Sequence, residues 1–171
     1  NLNAGQVYPA IGNNLTPETQ PIFISADKPI SVTQYLLSQA CAGGNGDPDM
    51  VILNPIEQNI KNVTVFTSTQ QNITSQLLNV LIPTAGAASF KIDGVVVGGF
   101  VPMPTNPAFS YLQYSFSPVL NASYTLSADS GFNAILYGLG NVESYGYSAG
   151  TNVQDLYQFL QVQNPNATVN F

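Results

Sequence analysis

Apolar residues in this chain recur at every second position over short stretches, and turn-forming residues break those stretches at regular intervals. A period of two is the mark of a half-buried strand. The pattern predicts strands at Gln6 to Ile11, Pro21 to Ser25, and Ile30 to Leu36, the last two joined at Asp27-Lys28-Pro29 as a hairpin. Met50 to Leu53 is apolar throughout until Asn54-Pro55 stops it, which predicts a short buried strand. Val63 to Thr67 alternates, and Gln76 to Pro83 is a further apolar strand. Asp93-Gly94, between two runs rich in β-formers, predicts a hairpin with a type I′ turn. Gly98 to Pro107 reads as a loop, followed by strands at Phe109 to Phe116, Ala122 to Ser127 and Phe132 to Leu139, with Ser117-Pro118 and Asp129-Ser130-Gly131 as the breaks. Thr151 to Gln163 fits a helix or a strand, and the β character of the rest favours strand. The sum is about 10 to 13 strands in an all-β, antiparallel β-sandwich of jelly-roll type.

The 171 residues are enough for one domain with its own core, so 1–163 is expected to be a single β-sandwich and 164–171, from Asn164-Pro165, an exit linker. The chain starts and ends in strand-like text, as a piece of a longer polypeptide would. Composition changes the picture in one respect. Only 7% of residues are charged, against roughly 25% in average soluble proteins, and Asn, Gln, Ser and Thr supply the polarity instead. Such a surface suits an extracellular setting. Three lysines, no arginine and a net charge of −6 leave no basic footprint for phosphates, which excludes nucleic acid as a partner. No apolar run reaches the 18 or so residues of a membrane helix, so no membrane insertion is expected.

The chain has no histidine, which removes the usual general base, the Ser-His-Asp and Cys-His pairings and the commonest zinc ligand. No catalytic residue is assigned. Asn45, Asp47 and Asp49 occupy the first positions of a calcium-loop pattern, but Met50 stands where its glycine belongs and Glu57 falls one residue late. Turn capping by the two aspartates is the reading taken; a calcium ion on these three oxygens is the alternative, and no other cofactor is expected. Glu57, between apolar neighbours, is expected to be partly buried with a raised pKa. A two-carboxylate glycan-active enzyme would pair it with Asp47, Asp49, Asp93, Asp129 or Glu143, and nothing selects among them. Tyr145 and Tyr147, set among glycines, could stack on a sugar or enter a partner's pocket; the competing reading bonds them back to the main chain. Together with Glu57 they are the candidate ligand contacts. Cys41 is the sole cysteine and is expected to be a sheltered, slowly reacting thiol. Asn14, Asn62, Asn72, Asn121 and Asn166 begin N-x-Ser/Thr sequences, which matter only in a secretory eukaryote.

One ordered series of short motifs goes further. Asp27-Lys28-Pro29-Ile30-Ser31-Val32-Thr33-Gln34-Tyr35, Cys41, Gly46-Asp47-Pro48-Asp49-Met50, Pro55-Ile56-Glu57-Gln58, Ile92-Asp93-Gly94, Tyr124-Thr125-Leu126-Ser127, Tyr137-Gly138-Leu139-Gly140 and Ser144-Tyr145-Gly146-Tyr147 follow one another along roughly residues 5 to 150. In this order they resemble the IgGFc-binding protein N-terminal domain family. Its animal members are cysteine-rich where this chain has Cys41 alone, so the resemblance is to the bacterial surface-protein branch. It implies a β-rich extracellular module standing beside other domains of the same polypeptide. The function it implies is non-enzymatic binding or adhesion toward a glycan or an extracellular protein. A calcium-assisted carbohydrate-binding domain is the alternative. Fc binding itself is carried over by no residue here.

Overall fold

In the computed structural model the described residues are 21–42 and 44–152. The expected strand at Gln6 to Ile11, the sequons at Asn14 and Asn166, residues 153–163 and the 164–171 linker lie outside them. Ten strands occur among the described residues, all paired antiparallel, with one four-residue helical turn, Gln39–Ala42, and short 3₁₀ turns at Ile56–Gln58, Gln70–Asn72 and Thr84–Ser89. In chain order the strands are β1 (Thr33–Leu36), β2 (Asp49–Ile52), β3 (Ile60–Thr67), β4 (Ile73–Pro83), β5 (Lys91–Ile92), β6 (Val95–Val96), β7 (Val101–Met103), β8 (Asn106–Ser115), β9 (Ala122–Gly140) and β10 (Glu143–Ser148). The antiparallel β class holds. The two separate stacked sheets of a sandwich do not form: eight strands make one sheet that curls into a half-barrel, and β1 and β2 form a ribbon of their own.

The curl depends on β9. At 19 residues it runs through Asp129-Ser130-Gly131, where the sequence predicts a break between two strands. Those residues bend the strand without ending it. Opposite β3, the register jumps from Asn62↔Ser127 to Ile60↔Phe132, so the extra residues bulge out of the ladder, and Gly131 takes φ +74 there. A Cβ on Gly131 would press on Asn59. The N-terminal half of β9 pairs with β3 and β5, and the C-terminal half with β4 and β10. One strand therefore belongs to both arms of the curl.

The core fills the space between the arms. Alternation puts Leu78, Val80 and Ile82 of β4, and Leu126, Ala128, Phe132, Ala134 and Leu136 of β9, on the inside. Phe90 stands edge-on to Phe132 at 5.2 Å and to Phe100 at 5.5 Å, and Phe116 stacks on Tyr124 at 4.4 Å. Each fully buried aliphatic or phenyl side chain in such a cluster contributes roughly 1.5–3 kcal/mol. One polar residue interrupts the β4 series. Gln76 is wholly buried, and its amide holds the loop before β9: Nε2 donates to Leu120 O (2.7 Å) and Ser68 O (3.0 Å), and Oε1 accepts from Leu120 N (3.1 Å). Thr67 Oγ1 donates to the same Leu120 carbonyl at 2.8 Å.

The turn at Asp93-Gly94 has positive φ at both residues, 50° and 79°, as a type I′ hairpin requires, and it joins β5 to β6. Other expectations need correcting. Pro21 to Ser25 forms no strand, and β1 pairs with β2 instead of folding back on it. The expected loop at Gly98 to Pro107 contains β7, whose Pro102 is tolerated because β7 is the outer strand of the sheet. Met50 to Leu53 is not a buried strand. It pairs only with β1 and lies over β10, so Val51 alone is buried while Met50 and Ile52 face solvent.

Candidate binding surface

β10 follows β9 through the two-residue turn Asn141-Val142, and alternation gives it two unlike faces. Tyr145 and Tyr147 point toward the core, and Ser144, Gly146 and Ser148 point the other way. The ribbon lies on that small-residue face. A Cβ on Gly146 would press on Val51 and Leu36 at 3.0 and 3.3 Å, so glycine is what lets the ribbon approach. Hydrogen bonds fix it there: Ser144 Oγ donates to Asp47 O (2.6 Å), and Asn54 Nδ2 donates to Ser148 Oγ (2.7 Å) and Gly150 O (2.9 Å).

The tyrosines are half-buried, with rings nearly parallel at 6.5 Å. Their hydroxyls meet the main chain at the end of β3. Tyr147 Oη accepts from Phe66 N and donates to Phe66 O, both at 2.8 Å, and Tyr145 Oη accepts from Ser68 N at 3.1 Å. Phe66 and Ser68 are two residues apart, so these groups face the same way along the chain. The two hydroxyls take the place of a neighbouring strand for that stretch, which leaves it covered against stray pairing. Burial raises both phenols above the ordinary pKa of 10.0, the bonds from Ser68 and Phe66 partly oppose this, and Tyr147 adds a further rise at Tyr145. The Tyr145 ring also packs against Gly138, its cross-strand partner, where a Cβ would run into it. The main-chain reading of the pair is thus the geometry found.

The remaining candidates are spread out. Glu57 sits in the 3₁₀ turn Ile56–Gln58 and is exposed, against the expectation of partial burial, because the turn directs Ile56 inward and Glu57 out. Asn45 Nδ2 donates to Thr74 Oγ1 at 3.1 Å, Asp49 Oδ1 accepts from Met50 N at 2.7 Å, and Asp47 is bonded through its main-chain carbonyl. Among the described residues no three His, Cys, Asp or Glu side chains group so as to hold a metal. Asp93 is occupied in accepting from Thr125 N at 2.7 Å. Cys41 is exposed, not sheltered: the chain leaves β1 at Leu36 and makes the helical turn Gln39–Ala42 at the surface before re-entering at buried Gly46. The sequons at Asn62, Asn72 and Asn121 are all exposed, although Asn121 Oδ1 accepts from Thr69 N at 2.6 Å.

What sequence reasoning missed is the outer face of the ribbon. Register pairs Thr33 with Ile52 and Tyr35 with Met50, which places all four on one face, and Tyr35, Met50 and Ile52 are 67%, 51% and 60% exposed. Beside them lies a hollow of about 240 Å³ lined by Tyr35, Pro48, Asp49 and Met50. The sequence signal for it is the four-residue apolar run Met50 to Leu53, which fits a buried strand equally well.

The family model described as IgGFc binding protein matches residues 1–138. The chain belongs to this family. The match spans the ribbon, β3 to β8 and most of β9, and it ends at Gly138, on which Tyr145 rests. No curated protein and no solved structure matches the chain. No helix among the described residues is long and apolar enough to cross a membrane.

Proposed function

We propose that this domain is a non-enzymatic extracellular binding module of a large cell-surface protein, with a glycan or an extracellular protein as its ligand. The observation that carries the reading is membership of a family of binding domains over residues 1–138. The chain's chemistry supports it: there is no histidine to act as a base, and the carboxylates at Asp49 and Asp93 are engaged in local hydrogen bonds. A surface made polar by amides and hydroxyls, with few charges, suits life outside the cell. Residues 1–163 form the module in this reading, and 164–171 lead to a neighbouring domain of the same polypeptide. Adhesion follows from the ligand being held on another surface. Glu57, exposed on its turn, offers a ligand a carboxylate, while Tyr145 and Tyr147, half-buried and bonded through their hydroxyls to the main chain, support the surface. The test is binding of the isolated domain to arrays of glycans and matrix proteins, with antibody Fc included because the family's description names it. Saturable binding to one class, with the ligand recovered unchanged, supports the reading. Turnover of a bound glycan, or no binding across the arrays, refutes it.

A further inference from the structure

The ribbon combines an exposed apolar face with a main-chain edge that no other described residue pairs with. Leu53 N donates to Val32 O at 2.9 Å, which sets the phase of the β1–β2 ladder. Antiparallel pairs alternate, so Val32, Gln34 and Leu36 bond across to β2, while Thr33 and Tyr35 turn their N–H and C=O groups away from it. No described residue takes those groups up. The β2 edge differs. Its outward N–H at Met50 is already capped by Asp49 Oδ1, a carboxylate acting as an edge guard. Among the described residues the β1 edge therefore has no cap at all, whereas the β2 edge is guarded at Met50.

We infer that the β1 edge, with the Tyr35, Met50 and Ile52 face beside it, is a docking site for an extended, basic peptide segment of a partner protein. This rests on the binding-module reading and names the partner class. The incoming strand bonds to the main chain of Thr33 and Tyr35, and its alternate side chains fall on the apolar face. A lysine or arginine in that row lays its stem along the Tyr35 ring and brings its charge to the hollow where Asp49 lies. Charge selects this occupant. The chain carries −6 with only three lysines, and Asp49 lines the hollow, so an acidic strand is repelled. A second copy of the chain meets the same repulsion, and a four-residue strand falls far short of the roughly 1,000 Å² a stable dimer buries.

The test uses the whole chain, a labelled peptide alternating lysine with valine, and its glutamate–valine counterpart, followed by fluorescence anisotropy, with light scattering for self-association. The lysine peptide is expected to bind saturably and the glutamate peptide not to bind. Thr33→Pro removes the outward N–H without touching a ladder bond and is expected to abolish binding. Asp49→Asn keeps the cap on Met50 N and removes the charge, so it is expected to weaken binding about three- to fivefold, the worth of one exposed ion pair. Tyr35→Ser, at an exposed position, tests the same face should Thr33→Pro lose its fold, and is also expected to weaken binding. Equal binding of the two peptides, no binding of the lysine peptide, or unchanged binding in both Thr33→Pro and Tyr35→Ser overturns the inference. A dimer dissolved by Thr33→Pro assigns the edge to a second copy and overturns it too. If an array ligand binds the wild type and these variants alike, the binding-module reading stands while the ribbon site falls.

Discussion

Replacing Gln76 by leucine tests how the loop before β9 is held. The substitution keeps most of the side-chain volume and leaves the β4 ladder intact, so what it removes is the amide. Two main-chain groups then lose a partner, Ser68 O and Leu120 N, while Leu120 O keeps its bond from Thr67 Oγ1. A buried group left unpaired costs about 1–3 kcal/mol. Leucine recovers part of this by burying more apolar surface, and the Leu120 side chain is 47% exposed, so water reaches the loop in part. The net loss expected is therefore near the low end, about 2 kcal/mol. For a domain of this size that lowers Tm by roughly 4–8 °C. Calorimetry of Gln76→Leu, Thr67→Val and the double variant is the assay. Both side chains converge on the Leu120 carbonyl, so the losses are expected to be non-additive by at least about 0.5 kcal/mol. A Tm for Gln76→Leu within about 1 °C of wild type, or strict additivity in the cycle, would refute the argument.

Tyr147→Phe leaves Phe66 N and O without the hydroxyl, and since solvent can replace it there, the expected loss is about 1 kcal/mol, read as a lower Tm. Because burial raises Tyr137, Tyr145 and Tyr147, the folded state favours the neutral phenols: their contribution is whole below pH 10.0 and is lost as pH rises through their higher folded values, so stability should fall in strong alkali and absorbance at 295 nm should show phenols titrating late. Val142 holds φ +57 in the β9–β10 turn, where a β-branched residue is strained, and Val142→Asn is expected to stabilise by about 1 kcal/mol in a denaturant titration. Cys41 should be labelled by a thiol reagent in the native protein about as fast as in urea; protection on folding would contradict its surface position. Calcium is expected to leave Tm unchanged relative to chelator, since Asn45 and Asp49 are bonded elsewhere; a rise abolished by Asp47→Ala would instead assign an ion to these residues.

The strands that could be read from sequence are those with one face in the core. Residues 63–67 of β3 and 76–83 of β4 alternate cleanly, and Asp93-Gly94 announces its own turn because few residues accept positive φ twice running. Elements whose surroundings decide them are not legible in this way. Asp129-Ser130-Gly131 has the composition of a turn, and a turn and a bulge ask for the same residues: a glycine at positive φ and polar groups left out of the ladder. Only the partner strand tells them apart, since β3 and β5 hold the N-terminal half of β9 in the same sheet as the C-terminal half. The same ambiguity turned one strand of 19 residues into two and one curled sheet into a sandwich.

The ribbon carries this ambiguity into the candidate site. Met50 to Leu53 is uniformly apolar, and a uniform run fits burial on both faces as well as burial on one face with an apolar face left over. Two neighbours decide between these, Gly146 and Ser144, which make β10 thin enough for Val51 to bury against it while Met50 and Ile52 stay exposed on the other face. Tyr145 and Tyr147 then have to face the other way, and their hydroxyls complete the end of β3. The alternation of small and aromatic residues in β10 thus sets both outcomes at once: it turns the tyrosines from candidate ligand contacts into supports, and it raises the ribbon as the apolar surface on the outside. Ser144→Val or Gly146→Val would reverse neither choice without lifting the ribbon off, so loss of the ribbon's native position should accompany either substitution while the half-barrel core stays folded.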